Sequence, residues 1–238
     1  MYFDQAEYDV RFEWGLSGIQ ALAPISDVVI VIDVLSFATC VEIAVTNGAA
    51  VFPYGGPAHE LATFAAQRDA IFASPGRQQT RGFSLSPASL LAIEPGTRLV
   101  LPSPNGSTLS LSTGGTPTLA GCLRNARAVA SRAVAFGRRI GVIAAGERWP
   151  DASLRPALED LIGAGAIMAH LPGRRSPEAE LALNGFVSNA ACLGDTVARC
   201  GSGQELLERG FVQDVTLASE LNVSETAPIL TQGAYRRG

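Results

Sequence analysis

The sequence predicts an α/β protein, with a largely parallel or mixed sheet covered by helices on both faces in three layers. Two observations predict this fold class. Residues 28–32 are all β-branched and apolar, as in a strand that is buried on both faces. The stretch 37–46 then has a helical pattern and stops at Asn47-Gly48. Because strand–helix pairs of this kind recur along the chain, they indicate βαβ units around one sheet.

The other elements follow from the same patterns. Further strands are predicted at 50–53, 98–102, 118–122 and 140–146. Helices are predicted at 59–68, from 107 onward, at 125–136 and at 157–171. Long loops are predicted at 77–88 and 172–180. After residue 184, two helices and then a final polar strand at 212–218 are predicted. We expect one unit over residues 1–238 or, as the alternative, two closely packed subdomains that meet near residues 110–120.

Composition restricts the partners of this chain. Apolar residues make up 47% of the 238 residues, and the net charge is −4. A negative balance argues against nucleic acid, because affinity for phosphate backbones requires clustered basic side chains. The longest apolar run, at 28–32, is far shorter than a membrane helix. The acidic first residues lack the order of a secretion signal, so we expect a cytoplasmic protein with no membrane partner.

The residue types also exclude several chemistries. All 18 basic residues are arginine and lysine is absent, which excludes a Schiff-base lysine, a pyridoxal-phosphate anchor and a Walker-type phosphate loop. A structural zinc site is not expected, because the cysteines show no C-x-x-C pairing and the chain has only two histidines. Any metal must then bind oxygen ligands, which favours Mg²⁺ or a similar hard cation.

Polar residues of catalytic type follow several of the predicted strands. In parallel sheets, ligands bind beyond the carboxyl ends of the strands. The candidates are Asp33 and Ser36, the helix-opening turn Asn105, Gly106, Ser107 and Thr108, then Asn125, and finally Glu159 with Asp160. Carboxylates beside turns with free N–H groups suit a metal-assisted phosphoryl transfer, because a cation bridges carboxylates and substrate oxygens while the turns bind the phosphate.

Each candidate also has a purely structural interpretation. Glu159 and Asp160 would complement the dipole of the helix that they begin. Ser36 and Asn125 would cap helices. Asp33 is the sharpest candidate, because a carboxylate that ends so apolar a strand loses hydration unless it gains a partner.

Seven segments, taken in order, carry a family resemblance that covers nearly the whole chain. They are IDVLSFATCVEIAVTNGA at 32–49, GFSLSP at 82–87, LPSPNGSTL at 101–109, GCLRNARAVA at 121–130, VIAAGE at 142–147, LEDLIGAGAI at 158–167 and GFVQDVTLASELNVSETAPIL at 210–230. In this combination the chain resembles the 2-phosphosulfolactate phosphatase (ComB-type) family. The resemblance implies an α/β fold, dependence on Mg²⁺, and hydrolysis of the phosphate ester of a small sulfonated hydroxy acid, a step toward coenzyme M.

The chain departs from the family pattern at two motifs. Family members commonly have arginine where this chain has Ser36, and the S-x-E-D sequence before the late helix is Ala157-Leu158-Glu159-Asp160 here. The missing arginine would otherwise bind a phosphate or sulfonate bidentately. Our hypothesis is that a loop arginine replaces it, so that an alanine variant there raises KM for anionic substrates. The candidates are Arg77, Arg81, Arg148 and Arg155.

The predicted site divides the work among these residues. The expected Mg²⁺ ligands are Asp33 and one or both of Glu159 and Asp160, directly or through water. The same three residues and Asn105 are the expected catalytic residues. Substrate and phosphate binding is assigned to Ser36, Gly106, Ser107, Thr108, Asn125 and Arg148. The nucleophile is left open between a metal-activated water, Asp33 and Cys40.

Two other classes of function are alternatives to the phosphatase. A non-catalytic anion-binding protein would keep the fold after losing the arginine of the first motif. An oxidoreductase of the Rossmann type is disfavoured, because Gly163 and Gly165 lie inside a predicted helix and not in a turn after a strand. A symmetric homodimer is the expected oligomer.

Overall fold

The computed structural model describes residues 3–77 and 82–238. Within these residues, nine strands form one sheet and two more form a short hairpin. The sheet strands are β1 (Val10–Trp14), β2 (Val28–Ile32), β3 (Ala50–Tyr54), β4 (Ile71–Phe72), β5 (Arg98–Pro102), β6 (Thr118–Gly121), β7 (Ile140–Ala144), β10 (Pro228–Thr231) and β11 (Ala234–Arg237). The hairpin pairs β8 (Glu147–Arg148) with β9 (Leu154–Arg155).

Helices precede, join and follow these strands. They are α1 (Gly15–Leu22), α2 (Phe37–Thr46), α3 (Leu61–Ala66), α4 (Gly106–Leu111), α5 (Ala126–Val134), α6 (Leu158–Met168), α7 (Pro177–Asn189), α8 (Leu193–Arg199), α9 (Gly201–Glu208) and α10 (Val212–Ala218). The predicted class of fold, a large mixed sheet between helical layers, is therefore confirmed.

The sheet consists of two parallel halves. Its strand order is β1-β7-β2-β6-β10-β11-β3-β5-β4. The pairs among β1, β7, β2 and β6 are parallel, and so are those among β3, β5 and β4. The antiparallel hairpin β10–β11 joins the halves, and it pairs with β6 on one side and with β3 on the other. The joint is narrow, because one residue pair is bridged on each side.

Alternating strand residues pack on opposite layers, as the twofold period of a strand requires. In β2, Ile30 packs with α5 and α6, whereas Val29 packs with α1 and α4 on the other face. In the other half of the sheet, Val51 of β3 packs with α2 and Phe52 packs with α3. All five residues of β2 are buried, which explains why its sequence is apolar throughout.

Most predicted elements are confirmed, and the errors have physical reasons. The strands at 28–32 and 98–102 and the helix at 37–46 have the predicted bounds. The predicted strand at 212–218 is wrong: it is α10, with Val215 and Ala218 buried at helical spacing. The predicted loop at 172–180 contains the start of α7, which Ser176 caps by accepting a hydrogen bond from the Ala179 N–H.

Several elements have no counterpart in the predictions. They are β1, α1, β4, the β8–β9 hairpin and the β10–β11 hairpin, the last of which joins the two halves of the sheet. The division into subdomains near residues 110–120 stays a prediction. Between β5 and β6 the chain does pass from one half of the sheet to the other. Among the described residues, no helix is long and apolar enough to cross a membrane.

Candidate active site

A cleft of about 180 Å³ lies where the two halves of the sheet meet. The ends of β2 and β7 contribute from one half, and the segment after β5 contributes from the other. The remaining residues are Arg77, Leu85 of the GFSLSP segment, and residues of α9 together with Arg209, which follows that helix. The charged and polar lining residues are Asp33, Ser36, Arg77, Ser103, Asn105, Glu147, Ser202, Glu205 and Arg209.

Asp33 ties the cleft to the starts of two helices. Its Oδ1 accepts a hydrogen bond from the Phe37 N–H at 3.0 Å, and its Oδ2 accepts one from the Gly106 N–H at 2.9 Å. Burial raises the pKa of Asp33 to about 6, with Glu159 adding to the shift, while these two N–H groups and Arg77 oppose it. The carboxylate is therefore positioned by the backbone and still faces the cleft.

The turn that contains Gly106 serves this carboxylate. A Cβ atom at Gly106 would lie 2.7 Å from Asp33 Oδ2 and 2.3 Å from the Phe37 ring, so a glycine is required here. The Ser107 hydroxyl donates to the Leu101 carbonyl and the Thr108 hydroxyl donates to the Pro104 carbonyl. The structure thus differs from the predicted phosphate-binding turn, because its first N–H and both hydroxyls have partners in the protein.

Glu147 is the carboxylate that the sequence prediction missed. It follows the buried strand β7 as Asp33 follows β2, and it lines the same cleft. Its Oε2 accepts a hydrogen bond from Asn105 Nδ2 at 3.0 Å. Burial, together with the charges of Asp33 and Glu159, raises the pKa of Glu147 to about 7. The position of Glu147 after an apolar strand was a sufficient sequence signal to select it.

Glu159 and Asp160 begin α6 behind the cleft. Asp160 Oδ1 accepts from the Val34 N–H at 2.7 Å and Oδ2 accepts from the Gly146 N–H at 2.8 Å, which joins the ends of β2 and β7. Burial and the nearby carboxylates raise the pKa of Asp160 well above its usual value. Glu159 accepts a hydrogen bond from the Cys200 thiol. Both carboxylates are buried, and neither is among the residues that line the cleft.

Arg77 lies beside Ser36, the residue that replaces the arginine of the family motif. Arg77 Nη2 donates to Ser36 Oγ at 2.6 Å, and Nη1 forms an ion pair with Asp214 Oδ2 at 3.3 Å. Asp214 is itself held by the Ser86 hydroxyl and the Ala88 N–H. The GFSLSP motif and α10 therefore fix one guanidinium at the cleft.

The other candidate arginines have different surroundings. Arg148 is exposed and donates to the Ala152 carbonyl, and it lines a neighbouring cavity. Arg155 donates to Ser202 Oγ. Arg81 lies outside the described residues. Arg209 was not among the predicted residues, yet it lines the cleft in an ion pair with Glu205 at 2.8 Å.

Two further predicted residues face the protein interior. Asn125 is fully buried; its Oδ1 accepts from the Cys122 N–H, and its Nδ2 donates to the Ala120 and Thr226 carbonyls. It therefore joins β6 to the C-terminal segment and does not reach the cleft. Cys40 is also fully buried, and burial raises the pKa of its thiol well above the usual value. A protonated, inaccessible thiol does not suit a nucleophile.

The charges of the cleft suit a cation together with an oxyanion. Among the described residues, three carboxylates line it, from Asp33, Glu147 and Glu205, against two arginines, each of which is already in an ion pair. Among the described residues, no three His, Cys, Asp or Glu side chains are arranged to hold a metal ion, so the predicted trio with Glu159 and Asp160 is not assembled. One or two carboxylates with water and phosphate oxygens are sufficient for Mg²⁺, and Asp33 and Glu147 fit that requirement.

Fold and site together define a three-layer α/β protein whose cleft combines carboxylates, of the kind that hard cations prefer, with arginine and hydroxyl donors for an oxyanion. The chain belongs to the 2-phosphosulpholactate phosphatase family, whose model matches residues 18–233. One relative, a 2-phosphosulfolactate phosphatase of Methanothermobacter thermautotrophicus, is 30% identical over 138 residues. That match covers 58% of this chain and 58% of the relative.

Proposed function

We propose that this protein is a Mg²⁺-dependent phosphatase that hydrolyses the phosphate monoester of a small hydroxy acid of the 2-phosphosulfolactate type. The observation that carries the proposal is the pairing of Asp33 and Glu147 with Arg77 and Ser36 in one cleft. The family match supports the reaction class, and the name of the Methanothermobacter relative supports the type of substrate.

Arg77 is the residue best placed to bind the phosphate. Its guanidinium is held on two sides, by Asp214 and by Ser36, so little side-chain freedom is lost when an anion binds. Arg209, which lines the same cleft in an ion pair with Glu205, would contribute a second guanidinium. Arg77 would thus compensate for the family arginine that Ser36 replaces, because it supplies the positive charge from another segment of the chain.

Asp33 and Glu147 would hold the cation. A bound Mg²⁺ would neutralise the phosphate and lower the pKa of a water molecule. Asn105 orients Glu147 through their hydrogen bond, and the N–H groups of Phe37 and Gly106 orient Asp33. Without a cation, a phosphate dianion would meet an excess of carboxylates in the cleft, and we therefore expect metal dependence.

Water is the proposed nucleophile. The described residues that line the cleft include no cysteine or histidine, and the chain has no lysine. Both oxygens of Asp33 already accept backbone hydrogen bonds, which suits a positioned ligand better than an attacking group. The role of the chain is then to bind the phosphate at Arg77 and to hold the two carboxylates in place.

The test is phosphate release from a panel of small phosphorylated acids, with Mg²⁺ and with EDTA. The panel includes 2-phosphosulfolactate and 2-phospholactate. We expect metal-dependent turnover that falls by about 100-fold in Glu147→Gln, because the change removes a charge that acts at the reacting centre. Glu147 accepts its hydrogen bond from Asn105 at a half-buried position, so the isosteric variant keeps the fold.

Glu178→Gln is the matched control, because Glu178 is exposed on α7. No turnover of any ester by a folded, Mg²⁺-loaded protein would contradict the proposal and favour the non-catalytic anion-binding alternative. Equal turnover in EDTA would contradict the metal dependence. A cytoplasmic location, a homodimer and a place in coenzyme M synthesis stay predictions.

A further inference from the structure

A second cavity, of about 220 Å³, adjoins the cleft. The two cavities share Asn105 and Glu147, whose side chains are hydrogen bonded to each other. Five polar residues line the second cavity: Asn105, Glu147, Arg148, Ser17 and Thr108. The other lining residues are apolar side chains and one glycine. These are Trp14, Gly15, Leu16, Leu109, Ala145 and Leu154, and together they form what we name the apolar cavity.

Two glycines that line or adjoin the apolar cavity are closely packed against Leu154 of the β8–β9 hairpin. Gly15 and Gly146 both have positive φ, of +57° and +65°. A Cβ atom at Gly146 would lie 2.8 Å from Leu154 Cδ1, and one at Gly15 would lie 3.4 Å from the same atom. Two glycines at the ends of β1 and β7 thus allow the hairpin to place an apolar side chain over this space.

The mouth of the apolar cavity exposes large hydrophobic side chains. Leu16 is 45% exposed and Leu154 is 42% exposed, and both line the same cavity. A single exposed leucine requires no explanation, but apolar side chains that share the rim of a cavity are typical of a ligand-binding surface. A ligand that covers them would gain the free energy of removing that surface from water.

From this geometry we infer that the apolar cavity binds the alcohol part of the substrate and that this part carries a short apolar side chain. The inference rests on the proposed function. A phosphate ester whose phosphorus lies in the cleft extends past Asn105 and Glu147 into the apolar cavity, because that pair borders both spaces. Arg148 lines the same cavity, where its guanidinium would bind the acid group of the substrate.

The substrate class is therefore a phosphorylated 2-hydroxy acid with an alkyl or aryl side chain. Polar residues line part of this cavity, but Arg148 is assigned to the acid group and the Thr108 hydroxyl already donates to the Pro104 carbonyl. A sulfonate beside Trp14, Leu16 and Leu154 would therefore lose hydration without an equivalent set of donors. An alkyl side chain would bury its surface against the same walls. This chain would then prefer apolar esters over 2-phosphosulfolactate.

The test compares kcat/KM for three esters: 2-phospholactate, 2-phosphosulfolactate and the phosphate ester of 2-hydroxy-4-methylpentanoate. We expect kcat/KM for the ester with the isobutyl side chain to exceed kcat/KM for 2-phospholactate by about tenfold or more, since each methylene in an apolar pocket contributes a factor of that order. Ser17→Trp is designed to fill the apolar cavity from an exposed position in the first turn of α1. Ser17→Trp should bring the ratio of kcat/KM between the isobutyl-bearing ester and 2-phospholactate close to one.

Ser188→Trp is the matched control, because Ser188 is exposed on α7 and lines neither cavity. It should keep the ratio of the wild-type protein, while Leu154→Ser should lower it as Ser17→Trp does. A wild-type ratio near one, or a ratio unaffected by Ser17→Trp and Leu154→Ser, would overturn the inference. If no ester is hydrolysed, the proposed function fails, and the same ratio of Kd values from calorimetry decides the inference by itself.

Discussion

Asp33 and Asp160 are buried carboxylates of similar construction, and the contrast between their surroundings shows how this site is assembled. Each accepts two backbone hydrogen bonds, one for each oxygen. Asp33 receives them from the starts of two helices and faces the cleft. Asp160 receives them from the ends of two strands and lies behind the cleft. Two carboxylates with similar burial and equal numbers of hydrogen bonds thus differ in their surroundings, because Asp33 lines the cleft and Asp160 does not.

The largest expected effect is on turnover at Asp33. Asp33→Asn should lower kcat by about 10²–10³-fold in the phosphate-release assay with Mg²⁺, because a charge is lost from the reacting centre. The variant also replaces one acceptor by an NH₂ group that faces the Phe37 or Gly106 N–H, so a urea unfolding curve must show that it is folded at the assay temperature. Activity within tenfold of wild type would place Asp33 with Asp160 as a structural carboxylate.

A smaller effect is expected for the stability of the Asp160→Asn variant. An amide can accept from only one of the Val34 and Gly146 N–H groups, so one buried donor loses its partner. The free energy of unfolding should fall by about 2 kcal/mol, measured by urea denaturation. Asp195→Asn, at an exposed position in α8, is the control that should change it little. An Asp160→Asn variant as stable as wild type but without activity would show that Asp160 acts in catalysis, as the sequence first suggested.

The smallest expected effect is the pH dependence of the metal-free protein. The folded-state pKa values of Asp33 and Glu147, about 6 and about 7, lie above their ordinary values of 3.8 and 4.5. A carboxyl group with a raised pKa binds its proton more tightly in the folded state, so its contribution to stability is present at low pH and is lost as the pH rises through the folded value. In EDTA, the free energy of unfolding should therefore be higher at pH 5.5 than at pH 7.5.

The matching variant separates this effect from other titrations. Glu147→Gln should reduce the difference in unfolding free energy between the two pH values, whereas the exposed control Glu178→Gln should not. Mg²⁺ at pH 7.5 should restore stability to the wild-type protein, because a ligand that binds only the folded state stabilises it. An unchanged pH difference in Glu147→Gln would show that the charge of Glu147 is not the source.

The residues of the cleft were predictable in part. Asp33 stood out because it ends a fully apolar strand, and the same reasoning applied to the end of β7 would have selected Glu147. Arg77 was one of four candidate arginines, and the contact with Ser36 that distinguishes it joins residues 41 positions apart. Arg209 gave no local pattern at all, because it enters the cleft only through the packing of the residues after α9.

Sequence patterns by themselves determined the class of fold, the buried strand β2, the helix after it, the family resemblance and the strand-end carboxylate Asp33. These are properties of single segments, and the spacing of apolar residues within each segment indicates them directly. Only the tertiary structure decided that an antiparallel hairpin from the C-terminal segment joins the halves of the sheet and that Asp160 braces two strands. It also decided that the N–H of Gly106 is already taken by Asp33. The physical reason is that a hydrogen bond between distant segments depends on where both partners lie in the fold. The sequence around one partner does not identify the other.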